Sequence, residues 1–468
     1  MRGIRAVLLF LILLCLSFSV ALADIMDGEY IPTRFTFTGG SGRVTITCPR
    51  VTVTNGTAMA ELLFSSPNYT RILLGGTEYP GVSDLTTTRF LIPAELDHSF
   101  TITATTLAMS QPHDVAYILY IGLDDTLPGL TWQSAMEKRY ADCFDVDFYE
   151  GGYALIKVRD GDTYLLIPEN AQIPDGLDPA IICLQQPLQS IYVAATSAMA
   201  LLDRLEVLDR VRFSGTQADG WFIDNARARM QQGDMVFAGK YSEPDYELLV
   251  KEDCDLAIES TMISHTPKVQ EMLTLLGIPV FVDHSSYETH PLGRTEWIRL
   301  YGVLLGCESL ADAFFEEQVN MATTSALPAA TGRVAFFYLS TDGHAIIRGS
   351  SDYIARMIEM GGAVYAFPEI GDNKASVSLS MEDFYDKAGD ADYLIYNGAI
   401  DESVRTLSDL LAKSPLLKDF SAVTSGHVYL TGRDLYQATD RTMQFVTDIR
   451  HMLSDEPTEF TFLLPLTD

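Results

Sequence analysis

The sequence predicts an α/β protein of two Rossmann-like lobes joined by one long helix and preceded by an all-β sandwich domain. Three observations carry this. Residues 27–122 are a succession of short β-rich runs broken by Gly, Asn and Pro. From Ser190 onward, apolar strands alternate with helical stretches, the rhythm of a parallel sheet covered by helices. After a long helical stretch at Glu308–Thr324 the same rhythm starts again. A chain of 468 residues also exceeds what a single core supports.

The first element is a targeting segment. "MRGIRAVLLFLILLCLSFSVALAD" places Arg2 and Arg5 before an apolar run and closes on Ala21-Leu22-Ala23, a small-residue cleavage pattern. Residues 1–23 therefore read as a signal peptide cleaved after Ala23. A lipid anchor on Cys15 is disfavoured because Leu14 stands where lipobox sequences carry a small residue. The expected location is secreted: the periplasm or the extracellular face of the membrane.

Residues 24–124 follow as the sandwich module. "RFTFTGG", "RVTITC", "RVTVTNG", "AELLFSS", "RFLIPA", "SFTITATTLAM" and "VAYILYIGL" are its strands, spaced as a sandwich requires. In Arg43–Thr47, Val44 and Ile46 share one face. Residues 125–146 read as a linker with a short helix.

Lobe 1 spans 147–306. It opens with the hairpin "DFYEGGYALIKVRDGDTYLLIP". The pairs "SIYVAAT"/"SAMALLDRLEVLDRV", "DCDLAIEST"/"TPKVQEMLTLLG" and "IPVFVDHSS"/"RTEWIRLYGVLLG" then alternate strand and helix. The connecting helix is assigned to 307–330 and lobe 2 to 331–468. In lobe 2 "TGRVAFFYLST", "AVYAFP", "DADYLIYNG" and "GHVYLTG" are strands with helices between them. Two lobes imply a cleft, and in open α/β sheets ligands bind outside the carboxyl ends of the strands.

Composition excludes several function classes. Removing residues 1–23, with two Arg and no acids, takes the formal charge from −31 to −33, a surface that repels nucleic acid and anionic headgroups. Five scattered Cys remain (Cys48, Cys143, Cys183, Cys254, Cys307), without a CxxC, so neither a zinc site nor a disulfide framework is indicated. The chain has no G-x-S-x-G, H-E-x-x-H or G-x-x-x-x-G-K-[ST], so no enzyme class is expected.

One stretch concentrates binding-type side chains. "SSYETHPLGRTEW", Ser285–Trp297, follows the strand "IPVFVD" and precedes a helix, at a strand's carboxyl end. Pro291 and Gly293 are expected to fix a turn, with Arg294 in the first helical turn. Tyr287 and Trp297 offer flat faces and His290 a metal-type nitrogen. The alternative is that Arg294 pairs with Glu288 or Glu296 and the aromatics pack the lobe.

"LGIPVFVDHSSYETHPLGRTEWIRLYGVLLG", "IYVAATSAMALLDRLEVLDRV" and "PDYELLVKEDCDLAIES" resemble the iron-complex, siderophore and cobalamin family of ABC-transporter substrate-binding proteins, periplasmic-binding-protein class III. The resemblance covers roughly Phe144 to Leu453, and "PLGRxEW" is its most specific part. It implies a monomeric binding protein with no cofactor of its own. Such a protein captures an iron chelate, haem or a corrinoid and delivers it to a membrane permease. It places ligand contacts on Thr196, Ser197, Trp221, Thr261, His265, Tyr287, His290 and Arg294. From lobe 2 it adds His344, Arg348, Asn397 and Tyr436. Trp221, after Gly220 in a loop, is expected to offer an exposed stacking face. The surface acids that would dock on the permease match Glu247 and Glu382, whose other reading is a solvated helix acid.

The sandwich is an addition to that family. "GEYIPTRFTFTGGSGRVTITC" and "SSPNY" resemble haem-binding, iron-transport-associated (NEAT-like) modules. Those carry two Tyr four apart, whereas Tyr117 and Tyr120 are three apart and fall on opposite faces of a strand. Two alternative functions follow: a surface adhesion protein acting through the sandwich, or a chelatase-like enzyme.

Overall fold

The computed structural model describes residues 27–40, 42–108, 111–123, 127–324, 331–370, 376–454 and 459–468. The signal segment lies outside them. The chain forms two compact units: residues 1–133 with 172–182, and residues 134–171 with 183–468.

Among the described residues the first unit is a sandwich of two five-stranded antiparallel sheets. Runs read separately as "RVTITC" and "RVTVTNG" form one strand, Ile46–Thr54, with a register shift between Thr47 and Arg50 around Pro49. A bulge is where a strand tolerates proline. Val51, Val53, Leu62, Phe64, Phe90 and Ile102 close the core between the sheets. Tyr117 points into that core, its Oη 2.7 Å from Tyr69 Oη. Tyr120 lies under the Arg34 guanidinium on the other face. Both rings are buried, so they line no common pocket.

Residues 172–182 belong to this unit although they come from far along the chain. Asp178 is 2% exposed and accepts from Thr36 Oγ1 at 2.5 Å and Arg34 Nη2 at 3.4 Å. Ser99 donates from its amide to Gly176 O and from its hydroxyl to Leu177 O.

The second unit holds the lobes. The segment 125–146 carries no helix among its described residues; it contains strand Trp132–Ala135, and Phe144–Tyr149 begins within it. Phe144–Tyr149, Ala154–Val158 and Thr163–Ile167 pair as an antiparallel meander. Lobe 1 has a parallel sheet in the order 236–237, 211–214, 191–193, 256–260, 280–283. Strands 191–193, 256–260 and 280–283 are buried on both faces, which is why they read as unbroken apolar runs.

Lobe 2 departs from the purely parallel expectation. Strand Arg333–Leu339 turns back through Ser340–His344 into antiparallel strand Ala345–Arg348, with Gly343 at φ +83°. A glycine in the left-handed region makes a tight reversal inexpensive. The sheet order is 376–379, 345–348, 333–339, 393–396, 428–431, 463–465, parallel only around its centre. Helix Pro291–Leu305 ends at Gly306 and helix Glu308–Thr324 follows at once.

Candidate functional site

Helix Pro291–Leu305 positions much of lobe 1. His290, not a turn residue beyond it, is its N-cap: Nδ1 accepts from Leu292 N at 3.1 Å. Burial, with the Arg356 charge nearby, holds the His290 imidazole below its usual pKa, and the ring stacks on Tyr140 at 4.6 Å. Gly293 is therefore helical. Its place is explained by a crossing chain: a Cβ there would stand 2.9 Å from Tyr140 O.

The two acids of this stretch hold backbone, not Arg294. Glu296 is fully buried and accepts from the amides of Arg139, Tyr140 and Ala141 at 2.8–3.2 Å, and from Arg299 Nη1 at 3.2 Å. Glu288 accepts from the amides of Asp142 and Cys143, both at 2.9 Å, and from Trp297 Nε1 at 3.0 Å. Trp297 is fully buried and offers no ligand face. The crowding in "ETHPLGRTEW" is thus a clamp on residues 139–143.

Arg294 instead reaches lobe 2. Its guanidinium lies 3.8 Å from the centre of the Tyr353 ring. It is 6% exposed. In lobe 2 three predicted residues do meet. Tyr436 Oη accepts from Arg348 Nη2 at 2.5 Å and from Asn397 Nδ2 at 2.7 Å. Burial pushes the Tyr436 phenol up to about 12, so it stays neutral. This trio sits in the lobe interior and shapes the loop 432–441.

That loop makes the seam and an inter-lobe cavity. Gln437 Oε1 accepts from Phe222 N at 2.9 Å, and Gln437 Nε2 donates to Gly220 O at 2.8 Å, one side chain gripping the other lobe twice. Beside it opens a cavity of about 440 Å³, lined by Phe222 from lobe 1 and by Glu402, Arg405, Thr431, Arg433 and Leu464, among others, from lobe 2. Arg433 stacks over Phe222 at 5.2 Å and pairs with Glu402 at 2.6 Å. Thr431 is 1% exposed and its Oγ1 has no partner. The wall thus combines a flat apolar face, two guanidinium groups, the carboxylates of Glu402 and Asp434 and an unused hydroxyl, a polar set suited to a molecule with an apolar face and polar groups.

None of the twelve predicted contacts lines this cavity. Trp221 misses by one residue. It is 1% exposed, with Nε1 donating to Ser214 Oγ at 3.0 Å, and Phe222 takes the exposed side. Asn397 and Tyr436 lie beside the lining residues Gly398 and Asp434. Thr196 and Ser197 open helix Thr196–Arg204 without a side-chain cap and are half-buried. Thr261 and Tyr287 sit together at the carboxyl edge of lobe 1, Thr261 Oγ1 being 3.4 Å from Ser286 Oγ, with Tyr287 56% exposed. His265 is exposed at the end of the turn Thr261–His265, and His344 stands in its hairpin turn 3.3 Å from Asp342. Glu247 and Glu382 are exposed in the first turns of helices Tyr246–Lys251 and Met381–Ala388, where the helix dipole favours acids. Among the described residues, no His, Cys, Asp and Glu cluster could hold a metal. No helix among them is long and apolar enough to cross a membrane.

An uncharacterized lipoprotein of Methanocaldococcus jannaschii is 24% identical over 310 residues, covering 64% of this chain and 77% of the relative. A second uncharacterized lipoprotein of that organism is 23% identical over 315 residues, covering 62% and 73%. Solved structures similar to this chain include a periplasmic binding protein from Veillonella parvula (TM-score 0.48, 16% identity, 58% of this chain and 92% of that one). They also include a periplasmic haem-binding protein from Pseudomonas aeruginosa (TM-score 0.45, 16% identity, 59% and 96%). The sequence model for periplasmic binding proteins matches residues 211–435, which run from the lobe 1 strand at Val211 through the seam to the loop that lines the cavity. Over those residues the chain is similar to periplasmic binding proteins.

Proposed function

We propose that this protein is the solute-binding component of an ABC importer. It captures an iron chelate, haem or a corrinoid between two Rossmann-like lobes and hands it to a membrane permease. One long helix, Glu308–Thr324, joins the lobes in this reading and limits their closure. The observation that carries it is the cavity of about 440 Å³ whose wall joins Phe222 of one lobe to Arg405, Thr431 and Arg433 of the other, in a chain similar over residues 211–435 to periplasmic binding proteins. Recognition by stacking and guanidinium contacts requires no nucleophile or metal, so the protein acts without catalysis. Glu247 and Glu382 are the acids through which it docks.

The test uses residues 24–468 with haem, cobalamin, cobinamide and a siderophore panel, followed by absorbance and thermal shift. A ligand present at 100 times its Kd stabilises the bound state by about 2.7 kcal/mol. The expected result is a clear rise in Tm with one ligand that Phe222→Ala and Arg433→Ala abolish. No shift with any member of the panel overturns the reading. A shift untouched by both variants moves the site elsewhere.

The relatives in Methanocaldococcus jannaschii are named lipoproteins. Mass spectrometry of the mature N-terminus separates a diacylglyceryl group on Cys15 from cleavage after Ala23.

A further inference from the structure

Phe222 forms the lobe 1 side of the cavity wall, yet the side chain that holds its backbone belongs to lobe 2 and lies outside that wall. Within lobe 1, the loop ahead of Phe222 is fixed from below. Trp221 Nε1 donates to Ser214 Oγ at 3.0 Å, and the same hydroxyl accepts from Thr216 N at 3.1 Å and donates to Thr216 O at 2.6 Å. Gly220 N bonds to Gln217 O at 3.0 Å. These bonds engage neither Gly220 O nor Phe222 N, two half-buried residues' backbone groups that need partners.

Gln437 partners both. Its Nε2 donates to Gly220 O at 2.8 Å and its Oε1 accepts from Phe222 N at 2.9 Å. Trp221, between them, is extended at φ −90°, ψ 129°, so the carbonyl before it and the amide after it point the same way. A primary amide carries a donor and an acceptor side by side in one plane. It therefore completes for Trp221 the two bonds that a neighbouring strand would supply.

The gripping side chain is itself well held. Gln437 N donates to Asp434 O at 2.8 Å. Its neighbour Tyr436 is fixed by Arg348 and Asn397, and Leu435 and Ala438 are 8% and 4% exposed. The same loop presents Arg433, whose guanidinium lies 5.2 Å from the centre of the Phe222 ring. One loop of lobe 2 thus supplies the cation of that stack and grips the backbone that carries the ring.

We propose that Gln437 is the positioning residue of this cavity: from lobe 2 it holds the Gly220–Phe222 backbone of lobe 1 and so sets the Phe222 ring opposite Arg433. A side chain that lacks the donor or the acceptor leaves Phe222 free to move out of the wall. The consequence for solute affinity rests on the solute-binding reading; the hold on Phe222 does not.

The test is amide hydrogen exchange at Phe222 in the mature chain without added solute, read as a protection factor. Gln437→Ala should lower that factor roughly tenfold while leaving strand Val211–Ser214 unchanged. Gln437→Glu carries the specific signature. Its protonated carboxyl offers the same acceptor and donor as the amide, whereas its ionised form has acceptors only and faces Gly220 O without a proton. The folded chain then holds that proton more tightly than the unfolded one, so the grip is present at low pH and lost as pH rises through the folded-state pKa. Phe222 protection in Gln437→Glu should match the unaltered chain at about pH 4 and fall to the Gln437→Ala level by about pH 7. The nearby acids are Asp219, Asp434 paired with Arg441, and Asp440, whose carboxyl burial pushes up to about 6. They titrate in both chains and cancel in the comparison.

Unchanged Phe222 protection in Gln437→Ala overturns the proposal, as does a Gln437→Glu profile parallel to that of the unaltered chain. If Gln437→Ala does not fold, the Gln437→Glu profile decides alone. Affinities for haem, cobalamin and cobinamide, measured on the same variants at about pH 7, separate this inference from the reading it serves. Several-fold weaker binding of the one the unaltered chain takes supports the positioning role, and unchanged affinity despite lost protection overturns it. Binding of none by the unaltered chain tells against the solute-binding reading alone, and the exchange result still decides the hold on Phe222.

Discussion

Two regions of lobe 1 bury carboxylates equally and treat them oppositely. At the start of helix Pro291–Leu305, Glu288 and Glu296 are 2% and 0% exposed, and their oxygens accept from five backbone amides between Arg139 and Cys143. On strand Leu256–Ser260, Glu259 is also 0% exposed, yet neither of its oxygens has a partner among the described residues. Burial alone pushes the Glu259 carboxyl up to about 8. Burial depth therefore does not decide what an acid does; the donors aimed at it do. The first pair is a clamp on main-chain amides, the second an acid whose proton burial holds. In lobe 2 the Asn397–Tyr436–Arg348 network is intermediate: Asn397 Nδ2 is used, whereas its Oδ1 has no partner.

The largest effect sharpens the clamp side. Glu296→Ala strands three amides and frees Arg299, and should lower stability by about 3–5 kcal/mol. Denaturant midpoints read it; a loss under about 1 kcal/mol would break the contrast.

The Glu259 side predicts a pH dependence of definite sign. The folded-state pKa of about 8 lies above the ordinary 4.5, so the folded protein holds the proton more tightly than the unfolded chain. Stability from this group is complete below pH 4.5 and falls as pH rises toward 8, by at most about 1.4 kcal/mol per pH unit. Glu259→Gln should remove that slope and raise Tm above pH 8. Parallel pH profiles for the two proteins would show that Glu259 has a partner after all.

Gly293→Ala brings a Cβ to 2.9 Å from Tyr140 O and should cost about 1–3 kcal/mol in urea unfolding. A neutral result would mean that residues 139–143 can move away from the helix and that the clamp is looser than the five amides imply. Tyr436→Phe removes the shared acceptor of Arg348 and Asn397 and should cost about 1–2 kcal/mol. It is the smallest change because that network is already incomplete.

Much of the fold was legible because periodicity reports burial directly. The sandwich runs, the apolar lobe 1 strands and the bounds of helix Glu308–Thr324 follow from it. The Ser340–His344 reversal was not, because "STDGH" reads equally as a strand-to-helix loop. The candidate site was legible to the loop and not to the residue. Trp221 lies in extended backbone at φ −90°, ψ 129°, where neighbouring side chains point opposite ways, so the cavity takes Phe222. The partner that completes that wall, Arg433, is remote in sequence, and a single sequence carries no signal that pairs them. Glu288 and Glu296 looked like ligand or ion-pair acids because a clamp on main-chain amides leaves no trace in side-chain identities.

The segment 172–182 has a consequence for how the two units can be separated. The chain passes between its two units at residues 133–134, 171–172 and 182–183. A sandwich appended by joining one gene to another would be separable at a single point. Here an insertion inside the α/β part supplies Asp178 to Thr36 and Arg34 of the sandwich. Deleting residues 24–133 would leave that insertion without the surface it lies on. Neither unit can be lifted out whole by cutting the chain once.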